Sequence, residues 1–128
     1  MTPIDQKEFC DYLAAALRHN GMADFADNAS LLNSLYALTL RMLEVNEHMN
    51  LTTIKQPHDI IMRHYVDSLT AAAHIPQGAT VLDIGCGGGF PCLPLALARP
   101  DLHITAIDST EKKVRYVGET AADRKSVV

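Results

Sequence analysis

The chain has 128 residues, 48% of them hydrophobic, enough for one globular unit with a core. Its formal net charge of −4 gives no general attraction to nucleic acid, so an RNA partner would need a local basic patch. No run approaches the roughly 18 apolar residues of a membrane span, the acidic start MTPIDQKEFCDYL lacks a secretory pattern, and Cys10, Cys86 and Cys92 form no zinc spacing. A cytoplasmic protein with reduced thiols, no membrane partner and no metal is expected.

Thr2-Pro3 predicts a helix N-cap and first helical position, and Phe9, Leu13, Ala16 and Leu17 recur at helical spacing until Asn20-Gly21. A second helix is predicted from about Asp27, with Leu31, Leu35, Leu38, Met42 and Val45 on one face, ending near NEHMNLTT. After Pro57 a third carries HDIIMRHYVDSLTAAAHI, with Ile60, Ile61, Tyr65, Leu69 and Ala72 as its buried stripe, and PQG at 76–78 closes it. The pattern then changes to a strand TVLDI, a helix from about Pro91 or Leu93 to Ala98, a strand HITAID and a helix through EKKVRYVGETA. Strand, helix, strand, helix begins a parallel α/β sheet, so the expected division is a helical region at 1–76 and the first part of an α/β domain at 77–122.

The stretch VLDIGCGGGFPCLPLAL, residues 81–97, runs from a branched strand through four glycines into an apolar helix. A strand ending at Asp83 and turning through Gly85, Gly87, Gly88 and Gly89 is expected to present bare backbone N–H groups, with no side chains to hold a ligand away. A dinucleotide loop, G-x-G-x-x-G/A, needs a small sixth residue, and counting from Gly85 that place belongs to Phe90. What remains is D-x-G-x-G-x-G, similar to the loop of S-adenosylmethionine-dependent methyltransferases. Asp83 reads two ways: it grips that cofactor's ammonium, or it ties down the loop's own amides. Asp108, ending the second strand near the roughly 20-residue spacing of a ribose-reading acid, reads equally as the N-cap of the helix near Thr110. Cys86 is read as a small side chain that fits rather than a reactive thiol.

Taken together, NLT at 50–52, RHYVDSL at 63–69, LDIGCGGGFPCLPLALARP at 82–100 and IDSTEKKVRYV at 107–117 resemble the RsmG family, also called GidB, over more than half of the chain. These are bacterial small-subunit ribosomal RNA guanine-N7 methyltransferases. The resemblance implies a Rossmann-like S-adenosylmethionine-dependent methyltransferase fold, of which the N-terminal helices and first strands are legible. It implies cofactor contacts at Gly85 and Phe90, a pocket shaped by Asp83, Gly87 and Gly89, and Asp108 at the ribose. It also implies a partner, small-subunit ribosomal RNA or an assembling ribosomal particle. Guanine N7 has a free lone pair and no proton to lose, so direct displacement needs positioning rather than a general base. The lack of a His/Asp or Cys/His catalytic set is therefore no obstacle.

Other segments leave alternatives open. Arg63 and Asp67, four apart, would pair on a helix surface, or His64 and Asp67 would hydrogen-bond and orient the helix over the sheet; contact of Arg63 and His64 with RNA is the third reading. Lys112, Lys113 and Arg115 make a basic cluster near the expected cofactor mouth, either a solvated face or a phosphate contact. Two strands fall short of a covered parallel sheet, so the chain is expected to be C-terminally truncated, poorly folded on its own and inactive. Residues 123–128, DRKSVV, depart from the family pattern and coincide with an in-frame translation of a common sequencing adapter, so a non-native tail is expected. Two further readings stand beside the methyltransferase: a nicotinamide-dependent oxidoreductase, opposed by Phe90, and a helical interaction module with a remnant glycine loop.

Overall fold

The computed structural model describes residues 4–123. The expected Thr2-Pro3 cap and residues 124–128 of the expected tail lie outside them. Helix α1 (Gln6–His19) is capped by Asp5, whose carboxylate accepts from the Glu8 N–H at 3.2 Å. The amide of Asn20 donates from its side chain to the Ala16 carbonyl at 2.8 Å and closes the helix. A four-residue helix α2 (Ala23–Ala26), absent from the sequence expectation, separates it from α3 (Ala29–Met49). Asn28 caps α3 by accepting from the Leu31 N–H at 3.1 Å. Asn50 ends it in the left-handed region at φ 51°, where asparagine is among the few side chains tolerated.

The third predicted helix is one rod of three kinds of turn: α4 (Pro57–Ile60), a π-helical segment (Ile61–Val66) and α5 (Asp67–Ala72). Its predicted stripe, Ile60, Ile61, Tyr65, Leu69 and Ala72, is fully buried. Strand β1 (Thr80–Ile84), helix α6 (Cys92–Ala98), strand β2 (His103–Ile107) and helix α7 (Glu111–Asp123) follow. The strands pair in parallel, Thr80 opposite His103 and Ile84 opposite Ile107.

One hydrophobic cluster runs through the described residues. Its largest fully buried side chains include Phe9, Leu13 and Leu17 of α1, Leu35, Leu38 and Met42 of α3, Tyr65 and Leu69 of the rod, and Val117 of α7. Inside it the Tyr65 and Thr39 hydroxyls meet at 2.6 Å, and Thr39 Oγ1 donates to the Leu35 carbonyl at 2.8 Å, so neither polar group is stranded. The sheet behaves differently. Ile104 is buried beneath the helices, whereas Leu82, Ile84 and Ile107 on the other face are 56%, 74% and 46% exposed.

Candidate functional site

The loop between β1 and α6 folds back onto β2. The Gly85 and Cys86 N–H groups both donate to the Ile107 carbonyl, at 2.7 and 3.0 Å, the Gly87 N–H donates to Asp108 Oδ2 at 2.9 Å, and the Gly89 N–H to the Cys86 carbonyl at 2.8 Å. The expectation of bare amides facing a ligand is thereby corrected. These donors are spent on closing the loop, because a loop stripped of side chains can reach the neighbouring strand end and satisfy its own backbone there. What the loop offers instead is room: Gly85 has φ +75° and a Cβ added to it would meet nothing within 4 Å. Gly88 and Gly89 are bare for packing. A Cβ on Gly88 would stand 2.9 Å from the Leu51 carbonyl oxygen, and one on Gly89 would come 2.8 Å from Leu93 Cγ.

Asp83 lies one residue before the end of β1, on the half-buried side of the strand. Its Oδ2 is buried and accepts no fully formed hydrogen bond, while the Cys92 thiol, a weak donor, is close enough to interact with the Asp83 carboxyl. The amides of Gly85, Cys86, Gly87 and Gly89 donate elsewhere, so Asp83 does not tie those four down. Its charge is felt by both neighbouring thiols: burial first, and Asp83 second, push the Cys86 and Cys92 thiols up from their ordinary values. They are protonated small side chains at neutral pH.

Asp108 uses both oxygens on backbone. Oδ2 takes the Gly87 amide and Oδ1 takes the Thr110 N–H at 2.8 Å, and these two bonds, Thr110 first, hold its carboxyl below the usual range. The capping geometry is thus present, and with the Thr110 side chain as a third donor the carboxylate keeps acceptor capacity for one more. Lys113 is half-buried and near enough to act on Asp108 and Cys86, Lys112 is exposed, and Arg115 turns to Glu111 at 3.0 Å. The basic cluster is therefore split between the site and the surface.

The π-helical segment overturns both expected pairings of Asp67. Its i→i+5 bonding shifts the residues off the 3.6-residue spacing that the pairings assumed. His64 Nε2 instead meets Thr52 Oγ1 at 3.0 Å, and its ring stacks on Phe90 with centroids 4.0 Å apart and planes 9° apart. Burial first, then the Arg63 charge, hold His64 below the ordinary histidine range, with Asp67 opposing. Arg63, His64, Asp67, Ser68 and Phe90 line an open cleft of about 370 Å³. The Phe90–Pro91 peptide beside it is cis.

Sequence reasoning named NLT without giving it a task. In the structure Leu51 packs on Gly88 and Thr52 on His64, while the Thr52 N–H donates to Asn46 Oδ1 at 2.9 Å. The legible signal was Asn50, whose tolerance of the left-handed region marks where the chain turns back toward the loop.

A parallel strand pair with a glycine turn at the tip of the first strand and an acid at the tip of the second defines an incomplete Rossmann-like α/β unit. Comparison with known proteins gives the family. The family model described as rRNA small subunit methyltransferase G, GidB, matches residues 31–126. Proteins named Ribosomal RNA small subunit methyltransferase G are similar to this chain: 45% identity with that of Deinococcus deserti, over 74% of this chain and 40% of that protein, and 39% with that of Myxococcus xanthus, over 93% of this chain and 54% of that protein. A Deinococcus radiodurans relative is 41% identical over 84% of this chain and 44% of its own length. The chain belongs to the GidB family of rRNA small subunit methyltransferases. It spans about half the length of the curated relatives it matches. The family assignment leaves the nicotinamide and interaction-module readings without support.

Among the described residues, no helix is long and apolar enough to cross a membrane and no cluster of His, Cys, Asp and Glu could hold a metal ion.

Proposed function

We propose that this chain carries the donor site of an enzyme that methylates guanine N7 in small-subunit ribosomal RNA, with S-adenosylmethionine as donor; transfer itself is proposed of the whole protein. The observation that carries the reading is the buried Asp83 Oδ2 without a strong donor, next to the open space over Gly85. A buried carboxylate with only a weak thiol donor beside it is costly, and an ammonium group offers the strong donors it lacks. When bound, S-adenosylmethionine supplies a methyl group on a positively charged sulfur, open to attack by a lone pair.

In this reading residues 1–76 form the helical support and 77–122 the donor unit. Asp83 takes the ammonium, Gly85 leaves the approach clear, and Gly87 and Gly89 shape the loop. Phe90 supplies an apolar wall, and Asp108 offers its remaining acceptor position to a ribose hydroxyl. Arg63, exposed on the cleft, and Lys112 and Lys113 at the start of α7 would meet RNA phosphates; their positive charge supports this reading. His64 and Arg115, the other proposed RNA contacts, are engaged by Thr52 and Phe90 and by Glu111 respectively, so the first three are the stronger candidates. No general base is required, because N7 carries no proton; the residues have only to hold nucleophile, methyl and sulfur in line.

Isothermal titration of S-adenosylmethionine into the 128-residue chain, with NADH as control, tests this. Asp83→Asn is expected to weaken uptake by roughly tenfold to a hundredfold, the size of a hydrogen bond to a charged group. Gly85→Val is expected to abolish it. Undiminished uptake in both variants, or NADH binding more tightly, would overturn the reading.

A further inference from the structure

We propose that His64 is a positioning residue of the donor site: stacked on Phe90 and held by Thr52, it sets the plane of the ring that walls the cofactor pocket. This rests on the donor-site reading above and assigns a task to two motifs, NLT and RHYVDSL, that it did not absorb. Three observations meet at His64. The ring lies nearly parallel to Phe90, 4.0 Å away, while Tyr65 stands tilted to Phe90 at 6.0 Å, so Phe90 is confined by rings from the rod. Rotation of the imidazole is fixed at the other end. The Thr52 hydroxyl accepts from the Ile54 N–H at 3.0 Å, which leaves its own proton and one lone pair for His64 Nε2, also at 3.0 Å. Finally, the same turn grips the glycine loop directly, since Leu51 lies so close over Gly88 that no Cβ would fit. Residues 51–54 thus hold the loop and the ring that orders Phe90 together.

The π-helical segment is what makes this arrangement reachable. It departs from α-helical spacing at the residues that carry His64, and π turns recur at functional sites. A ring whose Nε2 is taken and whose one face is covered is poorly placed to read RNA. It is well placed to order a neighbouring aromatic.

The test is isothermal titration of S-adenosylmethionine into the 128-residue chain and its variants, each also followed by thermal unfolding. His64→Ala is expected to weaken binding roughly tenfold, about the worth of one ring stack. His64→Phe keeps a ring and gives up the Thr52 contact; it is expected to recover most of that loss, with Thr52→Val between the two. A merely structural role would lower affinity and unfolding temperature in step, with no recovery by a ring, and that result would overturn the inference. So would unchanged affinity in His64→Ala. Proton NMR gives a readout without ligand: the His64 ring protons are expected upfield, a shift lost in Phe90→Leu, and random-coil positions would sink the proposal. If the unsubstituted chain takes up no S-adenosylmethionine, the donor-site reading fails and this inference with it; if uptake is intact and the ring substitutions are silent, only the role of His64 fails.

Discussion

Cys86 and Cys92 show how little a residue type says without its surroundings. Both are almost fully buried, and burial together with the Asp83 charge keeps them as thiols, whereas Cys10 is only half-buried. Alkylation at mildly alkaline pH, followed by mass spectrometry, is expected to label Cys10 first and the other two slowly. Rapid labelling of Cys86 would mean that the glycine loop opens in solution. Arg99 fastens the chain end of α5: it donates to the carbonyls of Ala72, the last residue of that helix, at 2.6 Å and of Ile75, three residues beyond, at 2.9 Å, and to both oxygens of Asp101. Arg99, and then the Gly78 amide, hold the Asp101 carboxyl well below the usual range. Because the folded value is depressed, this stabilisation is present above the unfolded value near 4 and fades as pH falls below it. Asp101→Asn is therefore expected to flatten the acid side of a plot of unfolding temperature against pH, and an unaltered acid limb would count against the linkage.

At the scale of elements, Arg41 of α3 reaches three residues of α7. Arg41 Nε donates to Thr120 Oγ1 at 2.7 Å, its guanidinium lies over the Tyr116 ring at 5.5 Å, and Glu119 stands 3.7 Å away. Thr120 is fully buried, so Arg41→Ala strands its hydroxyl as well as removing the ring contact. A loss of about 1–3 kcal/mol is expected in urea unfolding, with Arg41→Lys recovering little because it lacks the planar fork. Since α7 starts where Asp108 meets Thr110 and Gly87, loosening α7 should also loosen the glycine loop. The rod at 57–72 carries a similar lesson. Its stripe was readable because burial of apolar residues tolerates a change of turn, whereas the pairings of Arg63, His64 and Asp67 required a spacing that the π-helical segment does not keep.

For the molecule as a whole, order is expected to be uneven. The expectation of poor folding rests on the strand count, and a cooperative melt with donor uptake by this chain would overturn it; the largest buried side chains lie mainly among α1, α3 and the rod. Hydrogen exchange should be slowest in those helices and fastest in β1 and β2, with added S-adenosylmethionine slowing the loop amides. The face carrying Leu82, Ile84 and Ile107 is exposed on a parallel pair, a type of sheet that is normally covered on both sides. Concentration-dependent self-association is expected in sedimentation experiments, and Ile84→Lys should reduce it. A chain that stays monomeric at high concentration without the substitution would contradict this.

The sequence by itself determined the order of the longer helices and the strands, the buried stripes and the glycine turn, though not α2 or the π-helical segment, because apolar periodicity, caps and glycines act over a few residues of chain. Motif spacing was also enough to point to the family. Only the tertiary structure decided that the loop amides close on Ile107 and Asp108, that Asp83 is left with an unsatisfied oxygen, and that His64 lies on Phe90 and turns to Thr52. Those outcomes depend on where distant segments come to rest against one another. Local preferences set the shape of each piece, and the competition for each donor and acceptor is settled only when the pieces meet.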